Sequence, residues 1–555
     1  MLKKFNRAMK YIGSYTNFKN AILLLLALCF LLTGCKKEVE VTPFDEGDMS
    51  TNVDELPSPA GSDDAVEKKT LSIMMEQNPS TLHPLAVLDE DTANFLSLIT
   101  EPAIRISADG KFSASVIQSW DISEDGLTYT FHIRKNVSFH GDYGSVTADD
   151  LIFALEKIKS SDATQCEYAK YSSVLASYEK IDDLTLKVVA TKKSRDVFYL
   201  MSFPVIPKAY YEQLGLDTKK LPIGTGLYFV ESESAEGFVL SRNAAWWQQA
   251  PIYDQIIAKP ISDDELKIGG SALEQFQVIY TSLMTANSYS AAGKNEVHQV
   301  VTPTYDCLVP NYRNEFLAKK EVREAISTAL NRSELISVAL LGQGQAAEMP
   351  VNPNFWAYEG LENSAGVYNA AEANRLLENA GLAMDEEQGL RYVENADGSK
   401  RYLKFKLLYT ESTEYAYRKA LCEKIAEQLK LVGIEIELVE ADAQTYRSYL
   451  DSGNFQLALC SFFTNANGDN AFLFSEYNYG KAPTQALSEK LGAFRAAITS
   501  EEIKSTFSEY VQAYLEEIPT IGLHYRTHAV ILDANVSAPS RLAYKNIYAD
   551  IGQWK

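Results

Sequence analysis

The residues best placed to do chemistry lie in one stretch, Asn454 to Glu476 (NFQLALCSFFTNANGDNAFLFSE). An apolar run of strand length, Phe455–Phe462, passes through Phe463 into Thr464-Asn465-Ala466-Asn467-Gly468-Asp469-Asn470. Side-chain amides donate and accept hydrogen bonds, and a carboxylate accepts most strongly from a charged donor. Such a run suits binding better than catalysis. Phe462 and Phe463 fit either a cleft wall or a core.

Other groups that could react are poorly spaced for it. The six histidines (His83, His132, His140, His298, His524, His528) show no HExxH or HxxH pattern. His524 and His528 are four apart, but IGLHYRTHAVIL reads as a strand, so a metal pair is not expected. Neither a Gly-x-Ser-x-Gly elbow nor a glycine-rich phosphate loop occurs. No catalytic residue, metal or cofactor is expected.

The elements that must hold the polar run alternate in type. Tyr402–Thr410 reads as a strand, Tyr415–Val432 as a helix, Ile434–Val439 as a strand, then a helix from Thr445 and a strand over Phe455–Ser461. Alternating units build an open α/β sheet, and ligands sit outside its strand ends. Further upstream, Gly226–Asp264 carries three apolar runs around a Gly-bearing turn and Trp246-Trp247. It is expected to supply the inner strands of a first lobe, with Arg242 and both Trp as structural pins.

At 555 residues, with 46% apolar content, the chain can form more than one domain. A net charge of −22 argues against nucleic acid as partner, since phosphates need clustered Lys and Arg. A basic leader (Lys3, Lys4, Arg7, Lys10, Lys19) precedes Ala21–Leu32, an apolar run too short to span a bilayer. It fits a signal peptide. Leu32-Thr33-Gly34-Cys35 resembles a bacterial lipobox, which implies lipid modification of Cys35. The acidic segment 35–69 lacks apolar periodicity and reads as a disordered tether. Cys166, Cys307, Cys422 and Cys460 lack CxxC spacing and read as buried free thiols, with one disulfide open in an oxidising compartment.

A family resemblance rests on ordered motifs. Trp120 is followed by Asp125-Gly126-Leu127-Thr128-Tyr129-Thr130-Phe131-His132-Ile133-Arg134, Phe139-His140-Gly141-Asp142 and Thr147-Ala148-Asp149-Asp150. Pro222-Ile223-Gly224-Thr225-Gly226-Leu227-Tyr228, Arg242-Asn243-Ala244-Ala245-Trp246, Val322 to Arg332 and Tyr368 to Gly381 come next, and Ile518 to Arg526 resembles a return strand. Over residues 70–555 the chain resembles the family 5 extracellular solute-binding proteins, the oligopeptide and dipeptide binders of ABC importers. The resemblance implies a two-lobed α/β fold of the periplasmic-binding-protein type (type II, cluster C), with an extra α+β subdomain in the first lobe. The expected division is 1–34 signal peptide, 35–69 tether, 70–101 with 205–301 and 528–555 as lobe I, 102–204 as inserted subdomain, and 302–527 as lobe II.

By the same resemblance the strand end at Ser461-Phe462-Phe463 would pair its backbone with an extended peptide. Peptide binders of the family place an Asp just beyond, to hold the α-ammonium. That position falls on Asn465, or on Ala466 in the dipeptide-binder pattern. Asp469 is the nearest carboxylate and stands as the alternative anchor. Thr410 falls at a polar pocket position and Tyr525 near the lobe crossing. The implied protein is a lipid-anchored monomer on the extracytoplasmic face of the cell membrane, working with ABC permease and ATPase subunits. The missing Asp leaves open a non-peptide solute (a nickel complex, haem, sugar or opine) or a peptide-signal receptor without transport.

Overall fold

Two strands far exceed the others in length, Asn295–Pro310 and Ile521–Asp533, and they pair antiparallel along most of their course. They form the middle of one eleven-stranded sheet that runs through both lobes of the α/β fold. The computed structural model describes residues 68–86, 89–261, 275–290, 293–361, 367–410 and 416–555. Cys35, the signal segment and nearly all of the tether lie outside the described residues.

On one side of this central pair lie Leu457–Phe463, Lys404–Thr410 and Glu435–Ala441. Lys404–Thr410 runs parallel to both of the others. Helices Tyr417–Lys430 and Ala443–Ser452 make the crossovers that parallel strands require. Asp442 caps the second helix by accepting from the N–H groups of Gln444 and Thr445. Leu407, Leu421, Ile425, Leu429 and Leu457 fill the core beneath it. The carboxyl ends of these strands, Thr410, Ala441 and Phe463, share one edge, so the polar run after Phe463 starts where parallel sheets bind ligands.

On the other side lie Val278–Thr281, Thr70–Met75, Gln255–Pro260, Gly237–Arg242 and Tyr228–Ser234. Of the strands expected from Gly226–Asp264, Gln255–Pro260 and Gly237–Arg242 are inner strands, each flanked on both sides, with Val278–Thr281 and Thr70–Met75 between them and the central pair. Tyr228–Ser234 is corrected to the sheet edge. Glu231 and Glu233 are exposed there, and charge on an edge strand discourages further pairing. The turn motif before it is fixed by close approach. A Cβ on Gly224 or Gly226 would run into the Ile99 backbone, whose carbonyl accepts from Gly226 N–H at 2.8 Å. Arg242 pairs with Asp254 at 2.9 Å, and Trp247 Nε1 donates to Glu101 at 3.0 Å.

The segment between Glu101 and Val205 carries its own four-stranded sheet, in the order Ile117–Ile122, Thr128–Ile133, Thr185–Ala190, Leu175–Asp182. Tyr129, Phe131, Leu151, Leu155 and Phe203 pack as a separate core. Thr147 N–H donates to Asp150 Oδ2 at 2.9 Å and closes a capping box on helix Ala148–Ser160. The four cysteines of residues 166–460 are buried and free.

The long strand pair is interrupted twice, between Val301 and Tyr305 and between Asp306 and Cys307, and the first is the larger break. Val301 opposes Thr527, and Tyr305 opposes Tyr525, so Thr302, Pro303 and Thr304 face Arg526 alone. A bulge of this kind bends the strand that carries it. Thr302 Oγ1 donates to the Arg526 carbonyl at 3.0 Å and stitches the bend.

Candidate ligand cleft

A cavity of about 360 Å³ lies against this bend, walled by both lobes. The first lobe supplies Leu96, Ser97 and Thr100, and the inserted subdomain supplies Tyr168, Lys170, Tyr171 and Tyr199. Val301 to Pro303 form part of the wall at the crossing. The second lobe supplies Asn352, Phe355, Phe494, Tyr525 and the whole run Phe463 to Gly468. The volume falls at the low end of small-molecule sites, which span about 300–1,000 Å³. Aromatic walls with a few amides and hydroxyls suit a solute that is part apolar and part polar.

The polar run is held in place by three contacts with its surroundings. Thr464 N–H and Oγ1 both donate to the Pro303 carbonyl at 2.9 Å, which ties the run to the bend. Asn470 Nδ2 donates to the Pro350 carbonyl. The third contact crosses the cleft. Arg195 of the inserted subdomain donates from Nη1 to the Phe494 carbonyl (2.6 Å) and from Nη2 to the Asn467 carbonyl (2.5 Å). Asn467 Nδ2 donates to Asp196 Oδ1 at 2.7 Å, and Tyr199 Oη donates to the Ala466 carbonyl at 3.1 Å. Lys193 pairs with Glu502 at 2.6 Å nearby. Burial pushes the Tyr199 hydroxyl up to about 12, with Arg195 opposing, so it donates as a neutral phenol.

A second hollow, of about 480 Å³, lies on the second lobe beside the same strand. Arg418, Tyr446, Arg447, Ser461, Phe462 and Tyr477 line it, and it shares Phe463 and Asn465 with the cleft. Behind it lies a buried ionic network. Asp306 meets His524 Nε2 at 3.0 Å, Arg526 Nε at 3.4 Å and the Tyr417 hydroxyl at 2.8 Å, and it also accepts from Ser461 Oγ. Arg418 Nη2 donates to Ser461 Oγ at 2.7 Å. Burial alone would raise the Asp306 pKa. The hydrogen bond and charge of His524, with Arg526 and Ser461, outweigh it and hold the carboxyl well below its usual range.

Of the residues expected from the sequence, Phe463, Asn465 and Tyr525 come together on the cleft wall. Phe463 is 64% exposed, a large apolar surface left open at a strand end. Tyr525 is buried, its ring 5.2 Å from that of Tyr305. Ser461 and Phe462 line the second hollow instead, with the Ser461 hydroxyl engaged by Asp306 and Arg418. Phe462 is buried and packs on Phe472 and Tyr477. Asp469 and Thr410 are on neither lining. Asp469, expected as the alternative carboxylate anchor, has partners of its own: Oδ2 pairs with Arg495 at 2.9 Å, and Oδ1 accepts from Ala471 N–H. Arg195, Tyr199, Lys170 and Phe355 were not expected at the cleft, and no motif marks them.

Residues 111–483, more than half of the chain, match the profile of the bacterial extracellular solute-binding proteins, family 5 Middle. The oligopeptide-binding protein AppA of Bacillus subtilis is 26% identical over 469 residues, covering 79% of this chain and 83% of its own. The di/tripeptide-binding protein 1 of Pseudomonas aeruginosa is 27% identical over 314 residues, 50% of this chain and 56% of its own. Among solved structures, HbpA2 from Haemophilus parasuis superposes with a TM-score of 0.69 at 19% identity, over 84% of this chain and 96% of that one. The two-lobed fold, the cleft between the lobes and the profile match agree: the chain belongs to the family 5 bacterial extracellular solute-binding proteins, non-enzymatic substrate-binding components of ABC importers.

Proposed function

We propose that this protein captures short peptides in the cavity between its lobes and delivers them to an ABC permease and its ATPase. The observation that carries the reading is the cavity of about 360 Å³ whose walls come from both lobes and meet at the Thr302–Thr304 bend. A site completed by two bodies is formed on closure and opened for release. The bend acts as the hinge, because the two long strands carry the sheet from one lobe to the other. Peptides are favoured because AppA and the di/tripeptide-binding protein are named for them. Phe463 to Gly468 also presents a strand end to the cavity for main-chain pairing.

The working protein is a monomer tethered through a lipid on Cys35 to the extracytoplasmic face of the membrane. The lipobox-like Leu32-Thr33-Gly34-Cys35 supports this. Labelling with a fatty-acid analogue in cells tests it, since Cys35→Ala must abolish the label. Mass spectrometry of solute co-purified with the full-length chain tests the ligand class. Masses of short peptides are expected, and a haem, a metal complex or a sugar would contradict the reading.

A further inference from the structure

The charges on the cleft wall do not cancel. Four charged side chains line it: Asp109, Glu167, Lys170 and Lys545. Asp109 is paired with Lys111 at 3.3 Å. Glu167 is paired with Lys545 at 2.9 Å. Among the described residues no carboxylate forms an ion pair with Lys170. Its ammonium lies over the Tyr171 ring, 5.0 Å from the centroid. The lining therefore offers one uncommitted cation and no uncommitted carboxylate, in a chain whose net charge is −22.

We propose that Lys170 is a specificity-determining residue that holds an anionic group of the solute, a carboxylate, and that the solute's amino group is not what anchors it. This rests on the peptide reading above and deepens it: the bound end of the peptide is its C-terminus. The neighbouring chemistry agrees. Burial lowers the Lys170 pKa, Glu167 opposes that shift only in part, and Lys545 adds to it, so a ligand carboxylate would further stabilise the cation. Tyr168 and Tyr171 line the cavity beside it and can seat an apolar portion of the solute next to the charge. At the opposite polar run, the nearest carboxylate, Asp469, lies off the lining and is paired with Arg495. The neighbouring Asn467 carbonyl is occupied by Arg195, a cation of the protein itself.

The test uses the full-length chain and three probes: trialanine, N-acetyl-trialanine and trialanine amide, each titrated by calorimetry. Trialanine and its N-acetyl form are expected to bind within about threefold of each other, and the amide at least tenfold more weakly. Lys170→Met should weaken the first two by tenfold or more and leave the amide unchanged, while Lys170→Arg should restore them. Lys170 is exposed as a residue while its ammonium is desolvated over Tyr171, and it forms no ion pair among the described residues, so both variants should keep the wild-type melting temperature. Equal binding of amide and free peptide, or no effect of Lys170→Met, overturns the assignment. If no probe binds, the peptide reading fails, and the assignment is decided on co-purified solutes. An anionic solute lost from Lys170→Met supports it. A neutral or cationic solute, an anionic one retained by Lys170→Met, or no bound anion at all overturns it.

Discussion

The guanidinium of Arg195 lies 3.6 Å from the centroid of the Phe494 ring, and the two residues belong to opposite lobes. Both of its Nη groups donate to second-lobe carbonyls, and the residue is 2% exposed. A desolvated cation over a ring contributes about 2 kcal/mol. Arg195→Ala should therefore disfavour the closed form by about 2 kcal/mol, roughly 30-fold. Stopped-flow measurement of solute release should show a faster off-rate with little change in on-rate. An unchanged off-rate would mean the contact does not hold the lobes together.

The Asp306 network makes a prediction about stability. Asp306 is 1% exposed and faces His524 and Arg526. Removing one partner of a buried pair leaves the other charge uncompensated and costs about 3–5 kcal/mol. Asp306→Ala should lower the urea midpoint accordingly. The sign with pH follows from its depressed pKa. The stabilisation is complete above the unfolded value of about 4 and is lost only as pH falls below it.

Asp91 behaves in the opposite sense. Burial, with Glu76 nearby, pushes its carboxyl from the ordinary 3.8 up to about 7. Between those values the folded chain keeps a proton that the unfolded chain has released, so stability falls as pH rises through that window. Asp91→Asn keeps the acceptor for the Glu76 N–H and removes the charge. Relative to wild type it should gain up to about 4 kcal/mol between pH 4 and pH 8 in urea titrations. A pH-independent difference would contradict the assignment.

Two glycines should respond with opposite signs to alanine. Gly226→Ala drives a Cβ into the Ile99 backbone and should destabilise the first lobe by more than about 1–3 kcal/mol. Gly492 sits within helix Gln485–Ala496 with open space where a Cβ would stand. Gly492→Ala should stabilise by about 0.5–1 kcal/mol. Thermal melts of the two variants compare them directly.

Much of the fold was legible because its signals are local. Strand and helix alternate through residues 402–463, and Asp109-Gly110 and Asp125-Gly126 mark tight turns, each Gly at positive φ. Tyr228–Ser234 pairs only with Gly237–Arg242, in a local hairpin. Its place at the edge was not legible, because the long-range pairing of Gly237–Arg242 with Gln255–Pro260 decides which side of the hairpin faces the sheet. The cleft followed the same rule. Phe463, Asn465 and Tyr525 lie at strand ends or at the crossing and could be anticipated. Arg195, Lys170 and Tyr199 come from an inserted subdomain with no motif, and only the folded chain brings them to Phe463–Gly468. Asp469 looked available because its partner, Arg495, lies on a later helix.

The central claim is that the solute is enclosed between the lobes at the end of the Leu457–Phe463 strand. A crystal structure of the full-length protein with its co-purified solute tests this most directly. The account predicts solute density in contact with Phe463 to Gly468 on one side and with Tyr199 and Lys170 on the other. Density confined to the hollow beside Arg418 and Tyr446, with the interlobe cavity filled only by water, would contradict it.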